Sequence, residues 1–347
     1  MKSIRIAGRN GSSEIVIGEQ LANVRRYLPE GDCIIISDPN LIRLHGSRFP
    51  DAAVIPIGLG ETCKTLETVR HIYEELIRLS ADRSTFLLGI GGGIVCDVTG
   101  FAASTFMRGL PFGFVATTLL AQVDASVGGK NGVNLENYKN MIGVFNQPEF
   151  VICDLSLLQT LPERELRCGL AEIIKHGAIA DPELFAFLET NHEKALALDP
   201  RVMTRLIYDS VVIKSKIVNQ DETERGHRRL LNFGHTFGHA LEKTTGRPHG
   251  EAVALGMAAA AALSVEKKLL SGQESARLNA LIAACGLPSR SKTDHRALLE
   301  ALGKDKKKAG GSIHFVLLKT IGEALVRELP MEELERFLRS FAGAAWD

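Results

Sequence analysis

Residues 87–100, LLGIGGGIVCDVTG, carry the clearest indication of the fold class. This stretch continues an apolar run that predicts a buried strand, and a helical segment follows its three consecutive glycines. Glycine lets the backbone approach a pyrophosphate closely, and the N–H groups at a helix start carry partial positive charge. The pattern is not the usual G-x-G-x-x-G, so a plain tight turn is the alternative interpretation. The order of strand, loop and helix favours a phosphate-binding loop formed by Gly89, Gly91, Gly92 and Gly93.

Outward from this loop, strands and helices alternate along the chain. Residues 33–37 (CIIIS) form a continuous apolar run, which is typical of a strand buried on both faces. Residues 3–17 alternate in polarity and predict a short hairpin that turns near Gly8. Further strands are predicted at 53–57, 85–90 and 114–116, with a helix at 65–80. This alternation implies a mostly parallel sheet.

The pattern changes after about Pro162 to long amphipathic helical segments. These segments cover residues 163–178, 182–197, 201–219, 234–244 and 250–268, with further helices toward the C-terminus. At 347 residues, two domains are the default expectation. We therefore predict a Rossmann-like, dinucleotide-binding α/β domain over residues 1–160 and an all-α domain over residues 161–347.

Composition narrows the class of partner. Lys plus Arg and Asp plus Glu number 41 each, so the formal net charge is zero. A balanced charge argues against nucleic acid and membrane surfaces and favours a small molecule. The six cysteines are scattered without a C-x-x-C pair, which indicates reduced thiols. The N-terminus has no apolar signal segment and no apolar run is long enough to span a bilayer, so we expect a cytoplasmic protein.

Polar residues follow two of the predicted strands. Asp38 and Asn40 close the strand CIIIS, where α/β sheets commonly hydrogen-bond a ribose, although Asx-turn residues are the alternative interpretation. Thr117 and Thr118 also follow a strand and could bond phosphate or cap the next helix.

Three histidines lie within 15 residues in the helical half. His235 and His239 are one turn apart on one helix face, and His249 is expected in a loop ahead of Gly250. Two or three imidazoles with one carboxylate are the usual ligands of a catalytic zinc-like site, and Glu172, flanked by apolar residues on a predicted helix, is the best carboxylate. Spacing alone leaves His239 and His249 open as alternatives.

A glycine-rich connector carries further polar and basic groups. These groups could bind an anionic, hydroxyl-rich substrate, and they are Asp124, Lys130, Lys139 and Asn140. Other basic groups are Lys175, one turn beyond Glu172, and Lys214, Arg228 and the run 304–308. Taken alone, Lys214, Arg228 and the run 304–308 are more often surface charges than binding groups.

Together these motifs closely resemble the 3-dehydroquinate synthase family over most of residues 38–318. The motifs are GETCKTLE (60–67), GIGGGIVCDVTGFAA (89–103), TFMRG (105–109), TTLLAQVDASVGGKNGVN (117–134), KNMIGVF (139–145), LPERELRCGLAEIIKHG (161–177), DETERGHRRLLNFGHTFGHALE (221–242) and HGEAVALGM (249–257). The resemblance implies conversion of 3-deoxy-D-arabino-heptulosonate 7-phosphate to 3-dehydroquinate and phosphate. It also implies NAD that is used and regenerated, zinc or cobalt, and a homodimer.

The resemblance assigns roles to individual residues. It implies Glu172, His235 and His249 as metal ligands, with His239 near the substrate. Implied NAD contacts are Asp38, Asn40, Glu61, Lys64, Gly92, Gly93, Asp97, Thr117, Thr118, Asp124, Lys130, Lys139 and Thr160. Implied catalytic and substrate contacts are Asp124, Lys130, Asn140, Lys175, Lys214, Arg228, Asn232, His239 and Lys306, with Arg108 reaching the phosphate from the partner subunit.

Departures from the family pattern are few. Asn131 stands where many members have Thr, Thr62-Cys63 replaces a commoner Gln-Tyr, and His176 stands where Tyr is frequent. None of them removes a group with an implied role. The alternative functions are another sugar phosphate cyclase, a metal-dependent glycerol-type dehydrogenase, and a silent binding module that keeps the NAD pocket without the reaction.

Overall fold

The structure is a computed structural model that describes residues 1–8, 11–136, 138–222, 224, 226–289, 302 and 311–345, without the side chains of 341–345. The chain divides into two compact units. The first comprises Met1–Leu161 with Met203–Glu222, and the second comprises Pro162–Val202 with Thr223–Asp347. The functional division into residues 1–160 and 161–347 stays a prediction.

The first unit is built on a seven-stranded sheet. Its strands, with one additional hairpin, are β1 (Lys2–Gly8), β2 (Gly11–Ile17), β3 (Cys33–Ser37), β4 (Ala53–Pro56), β5 (Phe86–Gly91), β6 (Phe112–Ala116), β7 (Lys130–Leu135), β8 (Tyr138–Phe145) and β9 (Phe150–Cys153). The sheet order is β1-β2-β9-β6-β5-β3-β4, and β7 pairs with β8 separately. Only the predicted hairpin β1–β2 is antiparallel in the sheet; every other pair is parallel, as expected.

Except for α1, which was not predicted, the helices follow the predicted segments closely. They are α1 (Pro39–His45), α2 (Leu66–Arg78), α3 (Gly93–Thr105), α4 (Glu163–Ala180), α5 (Pro182–Leu196), α6 (Pro200–Gln220), α7 (His235–Thr245), α8 (His249–Glu266), α9 (Gly272–Ala284) and α10 (Met331–Ala345). In the described part of the chain, no helix has the length and apolar character needed to cross a membrane. All six cysteines are free thiols.

The strand order indicates at which edge of the sheet a ligand is expected to bind. After β3 the chain moves outward to β4, then returns to the other side of β3 to form β5 and continues to β6. Side chains of the central strands, such as Ile35, Leu88 and Val115, are fully buried and form the core. In such sheets ligands bind at the carboxyl ends of the strands where the order reverses, which here is between β3 and β5.

The second unit is helical with one hairpin. The antiparallel pair β10 (Ser312–Thr320) and β11 (Glu323–Pro330) was not predicted from the sequence. Helix α8 is largely buried, because its residues are apolar or small on every side from Ala252 to Ala261. The fold class, an α/β unit followed by a helical unit, is confirmed.

Candidate active site

The glycine-rich loop joins β5 to α3. Gly92 is the residue that caps α3, and the helix begins at Gly93. A Cβ on Gly93 would lie 2.9 Å from the Ala125 Cβ, and one on Gly92 would lie 3.0 Å from Thr118 Cγ2. Larger residues would therefore push the loops apart. The Thr117 N–H donates to the Gly91 carbonyl at 3.0 Å and holds the loops after β5 and β6 together. The N–H groups at the start of α3 therefore face this edge of the sheet.

Two of the predicted cofactor residues act as helix caps. The Asp38 carboxylate accepts hydrogen bonds from the backbone N–H groups of Asn40 at 2.9 Å and Leu41 at 3.1 Å. Thr118 Oγ1 accepts one from the Ala121 N–H at 3.1 Å. An Asx turn was the alternative interpretation for Asp38 and helix capping was the alternative for Thr118, and the structure contains both arrangements. Asp38 nevertheless follows β3 at the reversal of the strand order, so a further contact with a ribose stays a prediction.

Lys64 joins two other predicted site residues, Asp97 and Asn140. Its Nζ donates to Asp97 Oδ2 at 2.5 Å and to Asn140 Oδ1 at 2.5 Å, and the residue is 4% exposed. Burial raises the pKa of Asp97 despite the neighbouring Lys64 ammonium. The segment after Gly60, helix α3 and strand β8 thus meet at one buried cation. By contrast, Lys139 Nζ lies 3.9 Å from Glu61 Oε1 and both side chains are about half exposed, which makes a weak pair.

Buried Lys214 and partly exposed Asp124 form a second ion pair in the first unit. Lys214 Nζ on α6 donates to the Asp124 carboxylate and to its backbone carbonyl, each at 2.6 Å. The remaining predicted residues of this unit are exposed. Lys130 begins β7, Arg108 lies in a turn with φ of +72°, and the Thr160 hydroxyl is 2.8 Å from His45 Nε2.

The second unit collects the predicted metal ligands through close glycine contacts between helices. A Cβ on Gly250 at the start of α8 would lie 2.3 Å from the Cys168 Cα of α4. A Cβ on Gly256 would lie 1.9 Å from the Gly234 carbonyl oxygen, which precedes α7. Glycine at these two positions therefore permits α8 to pack against both α4 and α7. Glu172, one turn beyond Cys168, consequently meets histidines from the other two helices.

The three ligand atoms lie at distances that suit a metal ion. His249 Nε2 is 3.3 Å and His235 Nε2 is 3.7 Å from Glu172 Oε1. Oxygen and nitrogen ligands of one tetrahedral zinc, each at about 2.0–2.2 Å, stand about 3.3 Å apart. Glu172 has no exposed surface, and a buried carboxylate needs a compensating positive charge. The Lys175 ammonium lies against its other oxygen. The residues present therefore fit a divalent metal.

A metal ligand must be an ionised carboxylate or a neutral imidazole. The pKa shifts favour these forms at two of the three residues, Glu172 and His235. Burial alone would raise the pKa of Glu172, but Lys175 and the two histidines hold it well below its usual range, so the carboxylate is ionised. Burial and the Lys175 charge lower the pKa of His235 well below its usual value, which leaves a neutral imidazole. For His249, burial is outweighed by Glu172 and Glu242, whose carboxylates raise its pKa to about 9.

Glu242 was missed by the sequence analysis. Its carboxylate lies 3.7 Å from His249 Nδ1, the ring nitrogen that faces away from Glu172. A carboxylate beyond a metal-binding histidine orients the ring and fixes its tautomer. The signal was available, because Glu242 lies seven residues after His235 and so on the same face of α7. The Phe233 carbonyl, 3.2 Å from His235 Nδ1, takes the corresponding place for that ring.

His239 and His249 differ in their surroundings. Glu172, His235 and His249 form one group that could hold a metal ion, whereas exposed His239 groups with Glu242 and His249 and not with Glu172. The His239 ring centroid is 5.3 Å from that of His235. The expectation that His249 lies in a loop was wrong, because it is the first residue of α8 after the capping Pro248.

The other predicted residues of this unit lie in or near the short helix His227–Asn232. Arg228 is 2% exposed, and Asn232 Nδ2 donates to Glu224 Oε1 at 2.6 Å. Lys306 lies outside the described residues.

Two solved structures that share this architecture at 27–28% identity are sugar phosphate cyclases. A 2-epi-5-epi-valiolone synthase from Streptomyces hygroscopicus subsp. jinggangensis 5008, with NAD+ and Zn2+ bound, matches with a TM-score of 0.88 and 28% identity over 97% of this chain and 98% of that one. A 2-deoxy-scyllo-inosose synthase complexed with carbaglucose-6-phosphate, NAD+ and Co2+ matches with a TM-score of 0.87 and 27% identity over 98% and 100%. A probable glycerol dehydrogenase from Sinorhizobium meliloti 1021 shares the fold at 16% identity and a TM-score of 0.66 over 95% of this chain and 96% of that one.

Sequence comparison narrows this class to one family. The model of the 3-dehydroquinate synthase N-terminal region matches residues 54–168, and that of its C-terminal region matches residues 169–308. A 3-dehydroquinate synthase from Dehalococcoides mccartyi strain CBDB1 is 42% identical over 344 residues, which cover 94% of this chain and 96% of the relative. The chain belongs to the 3-dehydroquinate synthase family.

Proposed function

We propose that this chain is a carbon–oxygen lyase that converts 3-deoxy-D-arabino-heptulosonate 7-phosphate to 3-dehydroquinate and phosphate. This reaction belongs to the shikimate pathway of aromatic amino acid biosynthesis. The observation that carries the proposal is the 42% identity to a 3-dehydroquinate synthase over almost the full length of both chains.

The proposed metal ligands are Glu172, His235 and His249. Support comes from their spacing, the ionised Glu172 carboxylate and the neutral His235 imidazole. A zinc or cobalt ion held there would act as a Lewis acid that polarises a carbon–oxygen bond of the substrate. Glu242 would orient His249 from the far side of the ring.

The proposed NAD site lies at the carboxyl edge of the sheet in the first unit. The Gly92–Gly93 loop would receive the pyrophosphate on the backbone N–H groups of α3. NAD bound there would accept a hydride and return it, so that none is consumed. Lys64 holds Asp97 and Asn140 in place. The other proposed contacts are Asp38, Asn40, Glu61, Thr117, Thr118, Asp124, Lys130, Lys139 and Thr160.

The substrate needs cationic groups at its phosphate more than it needs a strong side-chain base. An oxygen of the leaving phosphate can itself take the proton, so elimination depends on stabilising negative charge. Lys175, Lys214 and Arg228 are buried, and burial in a low-dielectric site strengthens their attraction for an anion. Lys130, Asn140, Asn232, His239 and Lys306 are the further proposed contacts.

A homodimer in the cytoplasm completes the proposal. Arg108 would reach the phosphate bound in the partner subunit's site. Support comes from the exposure of its turn, because Arg108 is exposed and the neighbouring Met107 is 43% exposed. Hairpin β7–β8 also exposes Leu135, Tyr138, Met141 and Phe145, each by more than two fifths. An exposed apolar surface of this kind is typical of a face that another chain covers.

One assay tests the activity. Purified protein with NAD and zinc or cobalt is incubated with the heptulosonate phosphate, while phosphate, 3-dehydroquinate and NADH are followed. We expect phosphate and dehydroquinate in equal amounts and no net NADH. Accumulation of NADH would indicate a dehydrogenase instead. Turnover of a different sugar phosphate only would favour another cyclase, a candidate that the 27–28% identity to two such enzymes supports.

A further inference from the structure

Asn134 on strand β7 links three of the proposed site residues, although the sequence analysis gave it no role. Its Nδ2 donates to Glu61 Oε1 at 2.8 Å. Its Oδ1 accepts a hydrogen bond from the Asn140 backbone N–H at 2.9 Å. Its own backbone N–H donates to the Lys64 carbonyl at 2.8 Å. One half-buried amide thus ties together the segment 61–64 and strand β8.

The local backbone explains why Asn134 can make all three bonds. The register of β7 against β8 shifts between Val133 and Leu135, so Asn134 sits at an irregularity where it is released from the regular ladder. Such a bulge re-aims a side chain and frees its backbone groups for other partners. Asn140 has φ of +51°, a left-handed conformation that costs energy outside glycine, and its bond to Asn134 offsets part of that cost.

The three partners have roles in binding under the proposed function. Glu61 and Lys64 are proposed NAD contacts, and Asn140 is a proposed substrate contact that also accepts from Lys64 Nζ at 2.5 Å. The Glu61 side chain is 42% exposed, so in isolation it would sample many rotamers. A hydrogen bond that fixes one rotamer before the ligand arrives lowers the entropy lost on binding.

We propose that Asn134 is a positioning residue that orients Glu61 for NAD and Asn140 for the sugar phosphate. The proposal rests on the proposed function, because it acts through residues assigned there. Asn134 itself need touch neither ligand. Its two side-chain atoms serve different partners, so its role can be divided by substitution.

Two substitutions, Asn134→Asp and Asn134→Ala, separate the effect on Glu61 from the effect on Asn140. The aspartate keeps an acceptor for the Asn140 N–H but sets a carboxylate against Glu61, while alanine removes both bonds. We expect the NAD Kd, measured by isothermal titration calorimetry on the full chain, to rise about tenfold with Asn134→Asp, with the sugar phosphate KM near that of the unaltered protein. With Asn134→Ala, both constants should rise.

Asn23→Asp is the matched control. Asn23 Nδ2 also donates to a carboxylate, Glu19 Oε1, at 2.8 Å in the same unit, and neither residue belongs to the proposed site. The substitution creates the same repulsion between two carboxylates. We expect it to lower the melting temperature about as much as Asn134→Asp does, with an unchanged NAD Kd.

Rescue by a second substitution identifies the pairing. In a Glu61→Gln background, the glutamine amide can donate to the carboxylate that Asn134→Asp introduces. The cost of Asn134→Asp in NAD affinity should then fall from about tenfold to nearly none, relative to Glu61→Gln alone. A wild-type chain that fails to bind NAD would refute the cofactor site itself. NAD binding that is unaltered by Asn134→Asp, equally weakened by Asn23→Asp, or not rescued would overturn the positioning role.

Discussion

The two candidate sites compensate their buried charges in different ways. In the first unit, the Lys64 ammonium is met by two oxygen acceptors at hydrogen-bonding distance, and the neighbouring loop offers backbone N–H groups. In the second unit, the fully buried Glu172 carboxylate is met by the Lys175 ammonium and the edges of two imidazoles. The first arrangement is organised by the protein alone. The second gathers groups that a divalent cation would satisfy together, so changes there should have the larger effects.

The largest expected effect follows Glu172→Ala. Removing the carboxylate deletes one of three proposed metal ligands and one buried partner of Lys175, so we expect loss of bound metal and of all turnover while the fold is kept. Metal content by atomic emission, circular dichroism and the phosphate-release assay measure these quantities. Glu163→Ala on the same helix removes only an exposed partner of Arg167 and should change none of them. Metal retained in the Glu172 variant would refute the ligand assignment.

Glu242→Gln should have the next largest effect. In the proposed site this residue orients His249 and is not itself a metal ligand, and removal of such a partner typically weakens metal binding about 10–100-fold. Competition with a metal-binding dye gives the affinity. The control is Glu251→Gln on α8, which removes the negative charge from ion pairs with Arg164 at 2.6 Å and Arg247 at 3.5 Å and should leave metal affinity unchanged. Equal metal affinities in both variants would show that Glu242 has no such role.

Gly93→Ala tests the first site and should have a smaller effect. The new Cβ would stand 2.9 Å from the Ala125 Cβ, so the loop must shift at a cost of about 1–3 kcal/mol. We expect weaker NAD binding by calorimetry with normal metal content. In Gly272→Ala, at the start of α9, the Cβ meets nothing within 4 Å, and NAD affinity should be unchanged. Unweakened NAD binding by the Gly93 variant would contradict a pyrophosphate site at this loop.

The smallest expected effect is a pH dependence of the metal-free protein. His249 has a pKa of about 9 against 6.5 for an unperturbed histidine, so the folded state binds its proton more tightly. This stabilising contribution is complete below about pH 6.5 and is lost as the pH rises toward 9. We expect the melting temperature of the metal-free protein to fall over that window.

The variant His249→Gln tests whether His249 causes this fall of the melting temperature with rising pH. The variant lacks the titrating group, so its melting temperature should change less between pH 6.5 and 9. Because a metal binds the deprotonated ring, metal affinity of the unaltered protein should rise over the same window. Parallel pH curves for the two proteins would show that His249 does not titrate there.

The sequence predicted most elements because their signals are local. The run Cys33–Ser37 coincides with β3, and Thr65 caps α2 as the predicted helix begins. Hairpin β7–β8 was missed because Lys130–Phe145 is rich in glycine and polar residues and keeps much of its surface exposed. Strand β9 and hairpin β10–β11 were missed as well. Apart from the hairpin β1–β2, the pairing of the sheet strands is set by contacts distant in sequence, which no local pattern encodes.

The sequence indicated which kinds of residue form each candidate site, but it did not indicate which of them meet in the fold. Histidine spacing pointed to His235 and His239 on one face of α7, yet the partner that meets Glu172 beside His235 comes from α8. That meeting depends on Gly250 against Cys168, a helix contact without a spacing signature. Asn134 escaped notice because its importance comes from a bulge and from three partners, none of which is visible in an isolated asparagine.

Helix α6 has a consequence for how the chain is made. Its residues from Met203 onward group with the first unit, where Leu206, Ile207 and Val211 are buried and Tyr208 lies 4.0 Å beneath the Lys2 ammonium. The first unit is therefore completed only after residues 162–202, which group with the second, have left the ribosome. Nascent chains that end near Leu161 should remain sensitive to protease, and full protection of β1 should appear only once Glu222 has emerged.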